Sequence, residues 1–275
     1  MTAPVAALEA DGLSKSFGGL KAVSELSFAL PRGGLHGLIG PNGAGKTTVF
    51  NLLTGVYQPD AGTVKVGGAV MNGKKPSDIA LAGLVRTFQN IRLFGDLTVL
   101  DNVRIAAGVR ARSGLFRSLL RTPTYLREEA EIRDRAGKLL DVLGIAHRAG
   151  EIAKSLPYGD QRRLEIARAL ATGPSVLLLD EPVAGMNTSE KKAMRGLIQS
   201  LREQFDVSIL LIEHDMGLVM DICEHITVID HGVTIARGVP AEIQRDPAVI
   251  EAYLGVPDEP APVAGELSTS AEASS

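Results

Sequence analysis

The residues best suited to chemistry form a glycine-rich run that ends in a lysine and a threonine. Residues 40–47 read Gly-Pro-Asn-Gly-Ala-Gly-Lys-Thr. Glycines leave the backbone N–H groups free to turn inward around an anion, and the start of a following helix adds positive potential. Lys46 would supply a full charge to the outer phosphates, and the Thr47 hydroxyl is placed for Mg²⁺. The run predicts a phosphate-binding loop, and the alternative is an ordinary glycine-rich turn.

Two adjacent acids follow an apolar run further along the chain. Asp180 and Glu181 come directly after residues 176–179, which read Val-Leu-Leu-Leu. Burying a carboxylate is costly unless it is paired or near a metal, so we predict that Asp180 holds Mg²⁺. Glu181 could polarise a water for attack on a terminal phosphate. Alone, the pair could equally form a surface turn; together with the glycine-rich run it predicts a magnesium–nucleotide site.

Short strands surround the glycine-rich run. Leu26, Phe28 and Leu30 alternate as in a half-buried strand, and residues 35–39 form an apolar run that leads into the glycines. A turn at 58–62 precedes a further strand at 63–66. We predict that these early strands form an antiparallel layer around the glycine-rich run.

The pattern becomes helical between about residue 98 and residue 171. Thr98 and Asp101 resemble a capping box. Apolar residues then recur at helical spacing up to Leu143, and Gly144 is well placed to end the helix. Arginines and acids alternate between residues 117 and 135, which indicates a solvent-exposed helix face rather than a basic binding patch.

The second half alternates strand and helix. Buried runs at 175–179 and 208–212 flank a helical stretch at 189–203, an order that predicts parallel strands joined by crossovers. Residues 226–229 and 233–236 predict a closing hairpin. The sequence therefore predicts an α/β fold.

Composition excludes several classes of protein. Of the 275 residues, 45% are hydrophobic, yet no apolar stretch approaches the roughly 20 residues of a membrane-spanning helix. The first eleven residues lack the features of a secretory signal, and a single cysteine makes neither an internal disulfide nor a metal cluster. We therefore expect a soluble chain from a reducing compartment. The net charge of −3 argues against a nucleic-acid partner.

The segment between the two strong motifs resembles a known family. Residues 156–170 read Leu-Pro-Tyr-Gly-Asp-Gln-Arg-Arg-Leu-Glu-Ile-Ala-Arg-Ala-Leu. This segment is similar to the signature loop and helix of the ATP-binding cassette (ABC) ATPases. Gln89 falls at that family's lid-loop glutamine, His214 at its switch histidine, and Phe17 at the aromatic residue that stacks on adenine. The resemblance implies a P-loop NTPase fold of ABC-ATPase type, with a mixed sheet core, an antiparallel β layer and an α-helical subdomain.

The resemblance also implies roles for individual residues. The catalytic set is Glu181, His214, Lys46 and Gln89, and the Mg²⁺ set is Thr47, Gln89 and Asp180. The residues implied to contact ATP are Phe17, Gly40, Pro41, Asn42, Gly43, Ala44, Gly45, Lys46, Thr47, Thr48, Tyr158, Gly159 and Asp160.

Further motifs narrow the resemblance to one subgroup, the ATP-binding subunits of branched-chain (hydrophobic) amino-acid importers. They are residues 86–94, the Leu-Pro-Tyr-Gly form of the signature, 184–187, 213–216, 251–255 and the helical insertion between 104 and 144. The implied partners are a second cassette (a related chain or a second copy), two membrane permease subunits and, indirectly, an extracytoplasmic solute-binding protein. The implied location is the cytoplasmic face of the plasma membrane.

The expected organisation has four parts. Residues 1–95 hold the antiparallel β layer and the first part of the nucleotide-binding core, and 96–171 the helical subdomain with the signature. Residues 172–255 complete the core, and 256–275, rich in Pro, Ala, Ser and Glu, form a disordered acidic tail.

Four residues depart from the general family pattern. Pro157, Tyr158 and Asp160 replace residues of the common Leu-Ser-Gly-Gly-Gln signature, so Asp160 has an alternative, structural role at the helix start, turned away from phosphate. Asn187 stands where the family usually has an aspartate.

Other functions stay open at this point. They are a related importer ATPase for urea, amides or other amino acids, a non-transport ABC ATPase, and a nucleotide-binding regulatory subunit with little hydrolysis. A GTPase or small-molecule kinase is disfavoured because the chain lacks the Asn-Lys-x-Asp guanine motif.

Overall fold

The described residues form ten strands and nine α-helices. The computed structural model describes residues 5–110 and 123–254. The strands are β1 (Leu8–Phe17), β2 (Leu20–Leu30), β3 (Leu35–Ile39), β4 (Ala61–Val66), β5 (Ala69–Val70), β6 (Leu84–Arg86), β7 (Val176–Asp180), β8 (Ser208–Ile212), β9 (His225–Asp230) and β10 (Val233–Gly238). The helices are α1 (Lys46–Leu53), α2 (Pro76–Leu81), α3 (Val99–Ala107), α4 (Pro123–Val142), α5 (Tyr158–Ala171), α6 (Thr188–Phe205), α7 (Met216–Ile222), α8 (Pro240–Ile243) and α9 (Pro247–Leu254).

The strands assemble into two sheets. One is antiparallel, in the order β2-β1-β4-β5. The other has the order β10-β9-β3-β8-β7-β6, and all its neighbours are parallel except the β9–β10 hairpin. The predicted α/β fold with a mixed sheet core and an antiparallel layer is therefore confirmed.

One strand lies in a different sheet from the one that the sequence predicted. Residues 35–39 were expected in the antiparallel layer, but β3 pairs in parallel with β8 and β9 in the larger sheet. All five residues of β3 are buried. Burial of a whole strand is typical of the centre of a parallel sheet, because helices or a second sheet cover both its faces.

The larger sheet separates two hydrophobic cores. Leu177, Leu179 and Leu211 point into a core shared with the helices of the second half, whereas Leu178 and Leu210 point into one shared with the antiparallel sheet and α1. This alternation is the period-two arrangement of side chains along a strand. The sheet is therefore rigidly held from both sides.

The helices α3, α4 and α5 form a lobe beside the sheet. Ile132, Ala136, Leu139 and Leu140 line the buried side of α4. The arginines of α4 are exposed, so the predicted solvent-exposed face is confirmed within the described part of the segment. Arg117, Arg121 and the predicted tail at 256–275 lie outside the described residues.

The topology brings four strand ends to one edge. In the order β3-β8-β7-β6 every strand runs the same way, so the residues that follow each strand lie at the same side of the sheet. The glycine-rich run follows β3, and Gln89 follows β6. The acid pair lies at the end of β7, and His214 follows β8. The carboxyl edge of a parallel sheet is the usual ligand-binding position in α/β folds.

Candidate functional site

Lys46 is the buried basic residue of the glycine-rich loop. Its Nζ donates to the carbonyl oxygens of Gly40 and Pro41 over 2.6 and 2.8 Å. Burial lowers the pKa of the Lys46 ammonium, and the negative charges of Glu181 and Asp180 act in the opposite direction. The loop lysine and the acid pair therefore lie within electrostatic reach of each other.

Neighbouring strands hold the glycine-rich loop closely. A Cβ on Gly40 would lie 2.0 Å from the carbonyl oxygen of Ile229 in β9, so only glycine fits there. The hairpin residue Gly232 donates its N–H to the Ala44 carbonyl over 2.9 Å. Thr47 is exposed directly after Lys46, at the start of α1. The loop shape is thus set by the β9–β10 hairpin as well as by its own glycines.

Asp180 is buried at the end of β7 and is held by an arginine. The Arg86 guanidinium lies 2.6 Å from its Oδ2 and also donates to the Asn51 side chain over 2.7 Å. The rings of Phe50 and Phe88 lie beside the same guanidinium, at 5.3 and 5.4 Å. Arg86 therefore compensates the buried carboxylate and fixes its orientation.

Glu181 contacts side chains that follow two other strands. Gln89 Nε2 donates to its Oε2 over 3.1 Å, and His214 Nδ1 lies 3.8 Å from its Oε1. The backbone of Glu181 is left-handed, with φ of 46°, and its N–H donates to the Ile212 carbonyl at the end of β8. A non-glycine residue in this conformation persists only where its surroundings hold it, as is common at functional sites.

Glu213 is fully buried behind His214. Its carboxylate accepts the N–H of Val183 over 3.0 Å and those of His214 and Asp215 over 3.2 and 3.4 Å. Burial raises the pKa of the carboxyl, and these N–H groups oppose the rise. Glu213 thus ties the loop after β8 to the loop after the acid pair.

The signature residues lie at the start of α5. Tyr158 is exposed and accepts a hydrogen bond from Arg162 over 3.0 Å. Asp160 pairs with Arg148 over 2.9 Å, so the acid faces the helical lobe. Within the described residues no hydrogen bond or ion pair joins this loop to the glycine-rich loop of the same chain.

Two further predicted residues lie away from the acid pair. Phe17 is exposed at the end of β1, where its ring meets the edge of Tyr57 at 5.2 Å between centroids. Asn187 caps α6: its side chain accepts the N–H of Glu190, whose carboxylate accepts the Asn187 N–H in return. An asparagine can form this capping box as well as an aspartate can.

A groove of about 540 Å³ lies between the larger sheet and the helical lobe. Its apolar lining includes Phe88, Leu93, Phe94 and Ile105. Asn102, fully buried, fixes Phe94 by bonding to both its N–H and its carbonyl. The groove lies directly beside Gln89, since Phe88 is one of its walls.

The donor set at the acid edge suits a small hard cation. Asp180, Thr47 and Gln89 offer a carboxylate, a hydroxyl and an amide, all with oxygen donors. Mg²⁺ is usually held through one or two carboxylates plus substrate phosphates rather than by an all-protein cage. Among the described residues there is also no group of three or more His, Cys, Asp or Glu side chains that could hold a metal alone.

Sequence reasoning missed Arg86 and Glu213 as parts of this site. Arg86 was noted only as part of a motif, although an arginine three residues before Gln89 could have been proposed as a partner for a buried acid. Glu213 adjoins His214, and an acid directly after the apolar run at 209–212 was the available signal.

Fold and site together define a class of protein. A glycine-rich loop opposite an acid pair, at the carboxyl edge of a parallel sheet with a helical lobe attached, is the arrangement of a P-loop nucleotide-binding protein. Within the described ranges, no helix is both long and apolar enough to cross a membrane.

Comparisons with known proteins identify the family. The family model described as "ABC transporter" matches residues 23–184, and one described as "Branched-chain amino acid ATP-binding cassette transporter" matches residues 233–259. The chain belongs to the ABC transporter family and is an ABC ATPase.

Relatives of known name are similar over most of their length. The chain is 48% identical to the high-affinity branched-chain amino acid transport ATP-binding protein LivG of Salmonella typhimurium, over 90% of this chain and 97% of that protein. It is 44% identical to BraF of Pseudomonas aeruginosa, which has the same description, over 93% and 99%. The crystal structure of an ABC transporter cassette in its ADP conformation superposes with a TM-score of 0.78 at 30% identity, covering 91% of this chain and 99% of that one.

Proposed function

We propose that this chain is the ATP-hydrolysing subunit of an importer for branched-chain or other hydrophobic amino acids. The observation that carries the proposal is the meeting of Gln89, His214 and Lys46 around the acid pair at one sheet edge. The names of the relatives support the solute class.

In this proposal the glycine-rich loop binds the triphosphate. Backbone N–H groups of residues 42–48 surround the phosphates, and Lys46 leaves the carbonyl oxygens of Gly40 and Pro41 to bind the outer phosphates. Phe17, flanked by Tyr57, stacks on the adenine. Thr47, Gln89 and Asp180 hold Mg²⁺, which when bound offsets phosphate charge.

Glu181 orients the attacking water and accepts its proton. Gln89 binds one carboxylate oxygen of Glu181, which leaves the other oxygen to accept the proton of the water. His214 lies beside that other oxygen and donates to the outer phosphate. Glu213 fixes the backbone of His214, and Arg86 fixes Asp180, which would hold the metal.

Two cassettes would close head to tail over two ATP molecules. The first turn of α5, with Tyr158, Gly159 and Asp160, contacts the nucleotide of the opposite cassette, which is a related chain or a second copy. Tyr158 is exposed for such a contact, whereas Asp160 is turned towards Arg148 and contributes mainly to the shape of the loop.

A membrane permease completes the system. The apolar groove beside Gln89 receives a short cytoplasmic helix of one of two permease subunits, so the chain works at the cytoplasmic face of the plasma membrane. A solute-binding protein on the other side delivers the amino acid. In this scheme residues 96–171 form the lobe that moves with the permease, between two core segments at 1–95 and 172–255.

The direct test compares Glu181→Gln with the wild type in the purified transporter complex. Loss of Mg²⁺-dependent phosphate release by about 100-fold or more is expected, with ATP binding retained, because the amide cannot accept the proton. Glu224→Gln, an acid at the far end of the sheet, is the matched control and keeps its turnover. Hydrolysis near the wild-type rate in Glu181→Gln would remove that residue from catalysis.

The solute and the partners need a separate experiment. The tagged chain is purified in mild detergent from its native membranes, and the proteins that accompany it are identified. The proposal expects a second cassette and two permease subunits among them.

An uptake assay in cells tests the solute. The proposal expects uptake of labelled leucine in the wild type and its loss in Lys46→Ala. Uptake of urea or amides instead would favour the related importers, and ribosomal or DNA partners would contradict import.

A further inference from the structure

Arg162 is fully buried in α5 and binds the backbone of the residues that follow β6, beside the groove. Its guanidinium donates to the carbonyl oxygens of Phe88 and Gln89 over 2.6 and 2.8 Å. The same group donates to Glu165 over 2.9 Å and to the Tyr158 hydroxyl over 3.0 Å. A single side chain of the signature helix therefore binds two successive peptide units that follow β6.

Glu165 completes the contact from the other side. One carboxylate oxygen accepts the Phe88 N–H over 3.0 Å, and the other accepts from Arg162. The N–H and the carbonyl of Phe88 are thus both bonded to α5. We call Arg162 and Glu165, with these backbone contacts, the α5 clamp.

The clamped residue carries the amide that contacts Glu181. Gln89 Nε2 lies 3.1 Å from the Glu181 carboxylate, while the Gln89 carbonyl is held by Arg162. A continuous path therefore runs from the signature loop, through Arg162 and Gln89, to the acid. Phe88 and Glu165 also line the apolar groove, so a helix bound there contacts residues of the same chain of contacts.

We infer that Arg162 is a positioning residue: with Glu165 it fixes Gln89 against Glu181, so that hydrolysis depends on where α5 lies. The inference rests on the proposed function, because it takes Gln89 and Glu181 to be parts of the hydrolytic site. It adds the physical link by which the groove and the signature loop act on that site.

A buried ion pair could instead serve only to stabilise the lobe, so the variants must separate the two roles. Removing one partner leaves a buried charge unpaired and threatens folding, whereas replacing both with apolar residues of similar size is often tolerated. The main variant is therefore Arg162→Met with Glu165→Leu. Arg162→Lys, which keeps a charge for Glu165 but cannot reach all four acceptors, is the second.

The control removes an ion pair elsewhere in the lobe, one that is partly exposed where the clamp pair is buried. Arg104 of α3 pairs with Glu129 of α4 over 2.7 Å and with Asp101 over 2.8 Å, and no hydrogen bond or ion pair among the described residues joins it to Gln89. Arg104→Met with Glu129→Leu makes the same change of charge. It reports what a weakened lobe does to turnover when the α5 clamp is intact.

The experiment measures kcat and KM for ATP, and single-turnover phosphate release, in the intact transporter. In both clamp variants kcat falls by about 10- to 100-fold while nucleotide affinity stays within about twofold, because the phosphate loop is untouched and only the geometry at Glu181 changes. The control keeps its kcat. In a Gln89→Ala background, replacing the clamp causes no more than about a twofold further loss, since the clamp acts through Gln89.

Two results would overturn the inference. One is wild-type kcat in both clamp variants, and the other is a loss that multiplies fully with that of Gln89→Ala. Neither touches the proposed function, which is judged separately by hydrolysis in the wild type and its loss in Glu181→Gln.

Discussion

Glu181 illustrates how a few side chains can define a site when each comes from a different strand end. Gln89 follows β6, His214 follows β8, and Glu181 follows β7. No local sequence pattern links them; the parallel pairing of the strands brings them within 3.1 and 3.8 Å of the same carboxylate. The chemistry at this edge therefore depends on side chains that hold the loops after these strands in fixed positions relative to one another.

Substitution of Glu213 should disturb the relative positions of these loops most selectively. In Glu213→Gln, one oxygen acceptor becomes an NH₂ group facing backbone N–H donors, so at least one buried hydrogen bond is lost. We expect unfolding free energy to fall by about 1–3 kcal/mol and kcat by about tenfold, as His214 shifts. Urea unfolding and phosphate release measure the two effects.

Glu224→Gln is the control for this prediction. Glu224 also accepts a backbone N–H, from Leu35, but its side chain is 45% exposed and pairs with Arg202. At this exposed position water can replace the hydrogen bond that the amide loses, so little change in unfolding free energy or kcat is expected. Equal losses of unfolding free energy and kcat in the two variants would show that the three buried N–H contacts of Glu213 stabilise the site no more than the exposed contact of Glu224 does.

At the level of elements, the β9–β10 hairpin shapes the phosphate loop. Gly232 in its turn donates to Ala44 and accepts from Ser24, so the hairpin joins the glycine-rich loop to β2. A Cβ on Gly232 would lie 2.6 Å from the Ala22 carbonyl oxygen. The hairpin was predicted from the sequence, but its contact with the phosphate loop was not.

Gly232→Ala is expected to destabilise the protein and to weaken nucleotide binding. A left-handed backbone costs an alanine about 1 kcal/mol, and the clash with β2 adds about 1–3 kcal/mol. Gly73→Ala is the matched control, because its φ of 75° is close to the 78° of Gly232 and its Cβ would meet nothing within 4 Å. The unfolding free energies of the two variants, measured in urea, should differ by the cost of the clash. Equal losses in the two variants would contradict this prediction.

How far the elements could be predicted depended on how local their signals were. The β8 run at 208–212 and the helix start at Thr98 match the structure because each is set by adjacent residues. The capping box itself is only half formed, since the Asp101 carboxylate accepts from the Thr98 hydroxyl and not from the Thr98 N–H. The placement of β3 was wrong because short apolar strands do not reveal their partners, which lie more than 150 residues away. The same reason hid the pairing of Arg86 with Asp180, since 94 residues separate them.

At the scale of the whole molecule, the central sheet carries one buried histidine. His36 in β3 bonds to Thr227 of the adjacent β9 over 2.9 Å. Burial lowers its pKa from 6.5 to about 4, and the nearby His225 and Arg237 act in the same direction. The folded sheet therefore favours the neutral imidazole.

This histidine should make stability depend on pH. Above pH 6.5 the neutral form prevails in both states, and nothing is lost. As the pH falls from 6.5 towards 4, the unfolded chain takes up a proton at His36 that the folded chain does not, so this residue lowers the unfolding free energy by up to about 3 kcal/mol. Urea unfolding across this range measures the slope.

His36→Gln should flatten the slope, because glutamine does not titrate. The control changes the exposed His147 to glutamine, which removes a histidine without altering the buried one, and the slope should stay as in the wild type. Identical slopes for wild type and His36→Gln would show that the buried histidine does not govern acid sensitivity.

The central claim is that the glycine-rich loop and the acid pair bind one magnesium–ATP unit. A crystal structure of Glu181→Gln grown with ATP and Mg²⁺ tests it most directly. We predict the triphosphate within residues 40–48, Lys46 on its outer phosphates, and the metal between Thr47 and Asp180. A triphosphate bound elsewhere, or one that Asp180 does not reach through the metal, would contradict the account.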